Sequence, residues 1–206
     1  MDSGAFTQIL KHGGYTEGVE EYAAEIKRWA TNGTLLAAVA QDYMCEAHML
    51  KITGLTIPEH QRLTVERYDA LLACDVGGVY ILPVLQGYEP EDYVRHLVMY
   101  GDRLAHGAWV GVGSVCKRNG NPAAIVRVLQ AIKDARPDLR LHGFGLKSTA
   151  LSSPHITALL HTSDSMAWSF AARREGRNQN DWKEAKQYAD RIHDRINYRP
   201  AQQQLF

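Results

Sequence analysis

Short apolar runs alternate with helix-like segments along most of the chain. Five such runs occur after Thr34, at 35–43, 79–87, 109–115, 139–146 and 162–168. Near-continuous apolar runs of this length are typical of strands that are buried on both faces, as in parallel sheets. The pattern therefore predicts an α/β fold with five parallel strands.

The segments between the runs carry signals for helix starts. Thr56 and Glu59 form a capping box with Pro58 in the first turn, and Asn121 is a typical N-cap before Pro122. The helix after Asn121 has an apolar stripe at i, i+3, i+4 and i+7, made of Ile125, Val128, Leu129 and Ile132. An earlier helix is marked by Val19, Tyr22, Ile26 and Trp29. Helices that alternate with strands predict right-handed crossovers between parallel neighbours.

Polar residues or glycines follow each run at the predicted strand ends. They are Asp42, Gln86 with Gly87, Gly113 with Ser114, Gly145, and Asp164 with Ser165. In parallel α/β folds the carboxyl ends of the strands share one face, and ligands bind there. For any one residue, a polar loop that simply borders a strand is the alternative. Five such ends in succession favour a common site.

The composition excludes several classes of protein. Lys and Arg number 23, Asp and Glu also 23, so no overall field attracts nucleic acid or an anionic membrane. No apolar run reaches the 18 or so residues of a membrane span, and no signal segment leads the chain, so we expect a soluble cytoplasmic protein. Cys45, Cys74 and Cys116 are widely spaced and odd in number, which predicts reduced thiols. The histidines form no metal-binding pair, and no metal or cofactor is implied.

Six segments, in this order along the chain, resemble motifs of the tRNA-guanine transglycosylase superfamily. They are DSGAF, QDYMCE, PVLQGYEPEDY, WVGVGSVCKR, LHGFGLKS and SDSMAWSFAAR. The likeness runs from Asp2 to about Arg177 and is closest to the deoxypurine-in-DNA protein A (DpdA) branch, whose members are associated with placing 7-deazaguanines in DNA. No single motif is specific, whereas the six in the family's order are.

The resemblance implies a (β/α)8 barrel of the TIM type, as a single domain over 1–197 with a polar tail at 198–206. In that family the DSG loop follows the third strand, so the first two to three strands would be missing from this chain, which leaves an open partial barrel. We expect about 40–60 upstream residues to supply them. Without them we expect an untethered Asp2, poor folding or association through open edges, and no activity.

The resemblance also implies a base-exchange reaction with two carboxyl groups. Asp164 would be the nucleophile, which forms a covalent glycosyl-enzyme and gives retention by double displacement. Asp2 would be the general acid and base for the departing and incoming purines. Two alternatives remain for Asp164. It could cap the following helix, or an alignment to the bacterial motif could place Ala167 at the nucleophile position and make the protein inactive.

A purine pocket follows from the same resemblance. Its implied base-binding residues are Ser3, Phe6, Asp42, Gln86, Gly111 and Gly113. Asp42 would accept hydrogen bonds from N1–H and the exocyclic amine, and the Gln86 amide would meet the carbonyl oxygen. The backbone around Gly111 and Gly113 would add N–H donors and room for a flat base, and Phe6 would stack on it. A plain core role is the alternative for Phe6 and Gly111.

Basic residues lie just past the third and the last predicted strands. Lys117, Arg118, Arg173, Arg174 and Arg177 could hold the phosphates beside an extruded nucleotide, or they could be solvated surface residues.

Three functions compete. The leading one is guanine exchange for a 7-deazaguanine (preQ0-like) base in DNA, with a possible set of modification-system partner proteins. The second is the same reaction on tRNA, and the third is an inactive remnant that binds nucleic acid. Family members that act on tRNA carry a zinc site after the last strand, and here no Cys follows Cys116. Its absence favours DNA over tRNA.

Overall fold

Strands and helices alternate along residues 1–197, which are the residues that the computed structural model describes. The strands are β1 (Ala37–Val39), β2 (Tyr80–Leu82), β3 (Val84–Leu85), β4 (Trp109–Val112), β5 (Arg140–Gly143) and β6 (Thr162–Ser163). The helices are α1 (Ala5–His12), α2 (Val19–Asn32), α3 (Ala47–Thr53), α4 (Ile57–Leu72), α5 (Pro90–Tyr100), α6 (Pro122–Ala135), α7 (Ser148–Leu151), α8 (Pro154–Leu159), α9 (Ala167–Arg174) and α10 (Trp182–Asn197). Single 3₁₀ turns lie at Gly101–Arg103 and Val115–Arg118. The tail predicted at 198–206 lies outside the described residues.

All strand pairs are parallel, and the strands follow each other in sequence order. β1 pairs with β2, and a second ladder runs β3–β4–β5–β6. The second predicted strand region is divided at Pro83, which has no N–H to donate to a ladder. Its carbonyl oxygen still accepts from the Gly111 amide at 2.8 Å, so both halves remain beside β4. The five predicted strand regions are confirmed, although each strand is shorter than its apolar run.

The first residue of the chain lies against the outer edge of β1. The Met1 amine donates to the Ala37 carbonyl at 2.8 Å, and the Val39 amide donates to the Met1 carbonyl at 2.9 Å. Two such bonds from flanking residues make one rung of a parallel ladder. The Asp2 side chain in turn accepts from the Gly4 amide at 3.3 Å. The expectation of an untethered Asp2 was therefore wrong, because the residue before it is held on the sheet.

The predicted helix starts are confirmed. Thr56 and Glu59 form a reciprocal capping box at the start of α4, and the Asn121 side chain accepts from the Ala124 amide at the start of α6. The α6 stripe is fully buried against the sheet, as are the first three residues that mark α2. Trp29 is the exception, since it is 54% exposed at the end of α2.

A small second core fixes the segment that carries Asp2. It packs α1 against α3 and the loop after β1, and consists of Ala5, Ile9, Tyr43, Met44 and Met49. The main core lies between the sheet and the long helices α2, α4, α5 and α6. No helix within residues 1–197 has the length and apolar character to cross a membrane.

Candidate functional site

The predicted site residues follow the strands at one edge of the sheet. Asp42 lies three residues after β1, Gln86 directly after β3, Gly113 directly after β4 and Asp164 directly after β6. Since every strand pair is parallel, these carboxyl ends point the same way. The strand-end prediction is confirmed for their placement.

Three buried side chains form a hydrogen-bonded row along this edge. Gln86 Nε2 donates to Asp42 Oδ2, and Ser114 Oγ donates to Gln86 Oε1 at 3.0 Å. Ser114 has a positive φ of 61°, which is rare for a residue with a side chain and occurs mostly where a site requires it. The row fixes which end of the Gln86 amide faces Asp42.

The backbone of Gln86 is held from two helices. Its amide donates to His96 Nδ1 at 2.9 Å, and its carbonyl accepts from Gln61 Nε2 at 2.7 Å. His96 Nε2 donates to the Gln61 carbonyl at 3.1 Å, so His96 is neutral, and burial lowers its pKa to about 3. The sequence analysis missed both residues, because nothing local marks a polar side chain in α4 or α5 as a partner of β3.

Asp42 is the acid of the row, and its pKa is strongly raised. Burial raises its pKa to about 7, the hydrogen bond from Gln86 opposes the rise, and the nearby charges of Asp2 and Glu46 add to it. Asp2 and Asp42 are therefore close enough to act on each other. Glu46 is itself buried, and its Oε2 has no hydrogen-bond partner among residues 1–197.

Gly111 and Gly113 leave room for neighbouring side chains and do not offer N–H donors to a ligand. A Cβ on Gly113 would lie 2.2 Å from Gln86 Nε2, and one on Gly111 would lie 2.4 Å from the Phe144 ring. The Gly111 amide donates to Pro83, and the Gly113 amide donates to the Leu85 carbonyl at 2.9 Å. The expectation that these N–H groups face a base was wrong, because the sheet uses both of them.

The Asp164 carboxylate is held at the end of β6. Its Oδ1 accepts from the Gly145 amide at 2.9 Å and lies 3.4 Å from His142 Nε2. Burial raises the Asp164 pKa, but the bonds from His142 and Gly145 outweigh it, so the net pKa lies below the ordinary value. Helix α9 begins after Met166 and has no side-chain cap. The alternative that Asp164 caps this helix is therefore wrong.

A cavity of about 370 Å³ opens beside Asp164. One wall is the segment from Ser163 to Trp168, and the other is the inner face of α10, including Tyr188. The Tyr188 hydroxyl is buried and has no hydrogen-bond partner in the part of the chain that the structure describes. The volume of this cavity falls within the range of small-molecule pockets.

Burial raises the pKa of the Cys116 thiol, and the charges of Glu46 and Asp164 raise it further.

Aromatic and basic side chains pair at the rim. Lys117 Nζ lies 5.1 Å from the centre of the Phe6 ring, and the Arg118 guanidinium lies 4.4 Å from that of Tyr88. Phe6 is half exposed, so the alternative of a plain core role for it was wrong. Ser3 Oγ is buried, close to Tyr15, but makes no hydrogen bond of normal geometry within residues 1–197.

The α9 arginines differ in their surroundings. Arg173 and Arg174 are exposed, and Arg174 stacks on Phe170 at 6.0 Å. Arg177 forms ion pairs with Glu175 at 2.6 Å and Glu184 at 2.5 Å. Its guanidinium is thus already paired with carboxylates, whereas neither of the other two forms an ion pair within residues 1–197.

One family model matches the chain, that of DpdA, DeoxyPurine in DNA protein A, over residues 1–197. No curated protein matches it. Within residues 1–197, no group of three or more His, Cys, Asp or Glu side chains is placed to hold a metal ion. The match spans every residue of the sheet and of the site described above. The chain therefore belongs to the DpdA family.

Proposed function

We propose that this protein replaces guanine in DNA with a 7-deazaguanine base through a covalent glycosyl ester on Asp164. Membership of the DpdA family supports a role in 7-deazaguanine modification of DNA. The observation that carries the finer proposal is the buried row of Asp42, Gln86 and Ser114, at the same sheet edge as Asp164. A row of this kind suits the edge of a purine.

The row has the hydrogen-bonding groups that a guanine edge requires. Guanine presents two donors, the exocyclic amine and N1–H, next to one acceptor, the carbonyl oxygen. The Asp42 carboxylate accepts from the donors, and the second N–H of Gln86 Nε2 donates to the carbonyl. A 7-deazaguanine has the same edge, so Asp42 and Gln86 can bind both the departing and the incoming base.

The exchange proceeds in two displacements. In the first, an Asp164 oxygen attacks C1′ of the deoxyribose, the bond from C1′ to N9 breaks, and the Asp2 carboxylic acid protonates the leaving guanine. In the second, the Asp2 carboxylate takes the proton from the same ring position of the incoming base. That nitrogen then attacks C1′ and releases Asp164, so configuration is retained.

The cavity and the rim supply the remaining contacts. The cavity beside Asp164 would take the extruded sugar, with Tyr188 as a hydrogen-bond donor. The exposed side chains of Lys117, Arg173 and Arg174, together with the half-buried Arg118, would hold the flanking phosphates. We also propose that the sheet belongs to a (β/α)8-type barrel, since its parallel strands follow sequence order with helices between them and Met1 adds a rung beyond β1.

The decisive experiment is base exchange on defined polymers. Duplex DNA with labelled guanine is incubated with the full-length protein and preQ0, and release of label is followed. We expect release from DNA and none from tRNA. Label released from tRNA alone would overturn the DNA substrate, and no release from either would favour the inactive remnant.

The nucleophile has its own test. We expect Asp164→Asn to lower the exchange rate by at least a thousandfold and to abolish the adduct on denaturing gels, because an amide cannot form the ester. Asp190→Asn, at an exposed carboxylate paired with Lys186 on α10, is the matched control. Exchange by Asp164→Asn within tenfold of wild type would overturn the assignment.

A further inference from the structure

A chain of hydrogen bonds leads from the interior of the sheet to Asp164. Trp109 Nε1 donates to Thr162 Oγ1 at 2.9 Å, and Thr162 Oγ1 lies 2.9 Å from His142 Nδ1. His142 Nε2 then lies 3.4 Å from Asp164 Oδ1. The reaction described above uses none of the first three residues.

The register of the sheet holds this chain in place. His142 in β5 and Thr162 in β6 are direct partners in the ladder, so their side chains leave the sheet on the same face. Trp109 lies at the start of β4, on the other side of β5, and its ring meets the His142 ring edge-on with centres 6.0 Å apart. Phe144 packs on His142 in the same way at 4.7 Å. The imidazole is therefore fixed by two rings and a hydroxyl.

The chemistry of the donors decides where the imidazole proton lies. An indole N–H can only donate and an ionised carboxylate can only accept, so Thr162 Oγ1 accepts from Trp109 and His142 Nε2 carries the proton that faces Asp164. In a neutral imidazole Nδ1 is then the acceptor, and the hydroxyl hydrogen of Thr162 donates to it. The 3.4 Å contact is longer than an ideal hydrogen bond.

We propose that His142 is a positioning residue for Asp164, and that Thr162, supported by Trp109, fixes the imidazole tautomer which donates to Oδ1. The inference rests on the proposed function, since it takes Asp164 as the nucleophile. Both donors to the carboxylate, His142 and the Gly145 amide, act on Oδ1. Oδ2 is therefore the oxygen that attacks the sugar.

The same arrangement serves the second displacement. When Oδ2 has formed the ester, Oδ1 is its carbonyl oxygen, and charge returns to the carboxylate as the new base displaces it. Donors fixed in advance on Oδ1 stabilise that charge without rearranging. Loss of the donor from His142 is therefore expected to slow both half-reactions and to leave binding of the base unchanged.

Thr162→Val tests the proposal with little change in side-chain shape. It removes the hydroxyl that holds His142 Nδ1, whereas Thr162→Ser keeps it. In single-turnover experiments with saturating DNA, we expect Thr162→Val to form the covalent adduct about tenfold more slowly. We expect Thr162→Ser to stay within about twofold of wild type and both variants to bind DNA equally well. Adduct formation by Thr162→Val at the wild-type rate would overturn the positioning role.

A second measurement does not depend on activity. The ¹⁵N shifts of the His142 ring in the full-length protein report which nitrogen carries the proton. We expect the Nε2–H tautomer in wild type and in Thr162→Ser, and a mixture of tautomers in Thr162→Val. A wild-type ring protonated on Nδ1 alone would overturn the proposal.

The two tests separate failure of the inference from failure of the proposed function. If wild type forms no adduct with DNA or tRNA, the proposed function is overturned, and the positioning role is overturned with it, whatever the ring shifts show. If wild type forms the adduct and Thr162→Val matches it, only the inference fails.

Discussion

Asp42 is buried, although the role proposed for it requires a charge. Removing a carboxylate from water favours its protonated form, and two neighbouring acids, Asp2 and Glu46, strengthen that preference. Its pKa of about 7 means that near neutral pH the empty site holds Asp42 in both protonation states. A base that donates two hydrogen bonds selects the ionised state alone.

Base binding should consequently depend on pH. Since the competent fraction falls as pH drops below about 7, we expect the Kd for free guanine to be about tenfold weaker at pH 6 than at pH 8. Calorimetry in buffers of different ionisation enthalpy would also detect the proton released at low pH. A Kd that stays constant between pH 6 and 8 would show that Asp42 is already ionised in the empty site.

The Asp42 carboxyl should lower the free energy of unfolding at high pH. Its pKa of about 7 in the folded state lies above the unfolded value of about 3.9, so folding favours the protonated form. Its contribution to stability is fully present below about pH 4 and is lost as pH rises to about 7. We expect Asp42→Asn to raise the free energy of unfolding relative to wild type by about 3–4 kcal/mol at pH 8, and by little at pH 4.

Denaturant unfolding of both proteins across this pH range measures the difference. Asp42→Asn should at the same time lose affinity for guanine, because an amide cannot accept from both donors. Equal stability of the two proteins at pH 8 would contradict the account, since it would mean that the charge carries no cost.

At the scale of elements, the close approach of β3 and β4 fixes the position of the Gln86 side chain, which is proposed to bind the base. Gln86 follows β3 and occupies the space in front of Gly113, which follows β4, so a side chain at Gly113 and the amide of Gln86 exclude each other. The φ of Gly113 is not in the left-handed region, so space alone demands glycine there.

Gly113→Ala tests this approach. We expect a stability loss of about 1–3 kcal/mol, because the added methyl displaces an amide held at both ends, and at least a tenfold weaker Kd for guanine. Gly120→Ala is the matched control, since a Cβ there meets nothing within 4 Å. Wild-type guanine affinity in Gly113→Ala would indicate that Gln86 does not read the base.

Local features of the elements could be predicted from the sequence, and distant pairings could not. The capping box at Thr56 and the cap at Asn121 depend on neighbouring residues, so the sequence contains everything needed to recognise them. The five strand regions were found from their apolar runs. The break at Pro83 was missed, because a run of apolar residues masks a missing N–H.

The site residues show the same contrast between local features, which the sequence predicts, and distant pairings, which it does not. The strand-end residues Asp42, Gln86 and Asp164 could be placed from the order of the strands. Gln61 and His96, which hold Gln86, lie in α4 and α5 at 25 and 10 positions from it, and only the fold brings the three together. His142 did leave a signal, as a polar residue within the apolar run 139–146, but its partner Thr162 lies 20 positions away.

At the scale of the whole molecule, the chain has no net charge with which to attract DNA. Affinity must then come from a few local cations, and each phosphate contact adds about one unit to the slope of log Kd against log salt. We expect Lys117→Ala to lower that slope by about one unit. Lys186→Ala, at a lysine paired with Asp190 at 2.7 Å, should leave it unchanged. Equal slopes for Lys117→Ala and wild type would remove Lys117 from the DNA interface.

The contact between Lys117 and Phe6 affects a free base and a base within a DNA strand differently. The Lys117 ammonium group lies over one face of the Phe6 ring, so a base that stacks on that face must displace it. A nucleotide within a strand brings a phosphate that gives the displaced cation a new partner, whereas a free base brings none. If the base stacks on Phe6 as proposed, we therefore expect guanine within DNA to bind more tightly than free guanine, although the contacts with the base itself are the same.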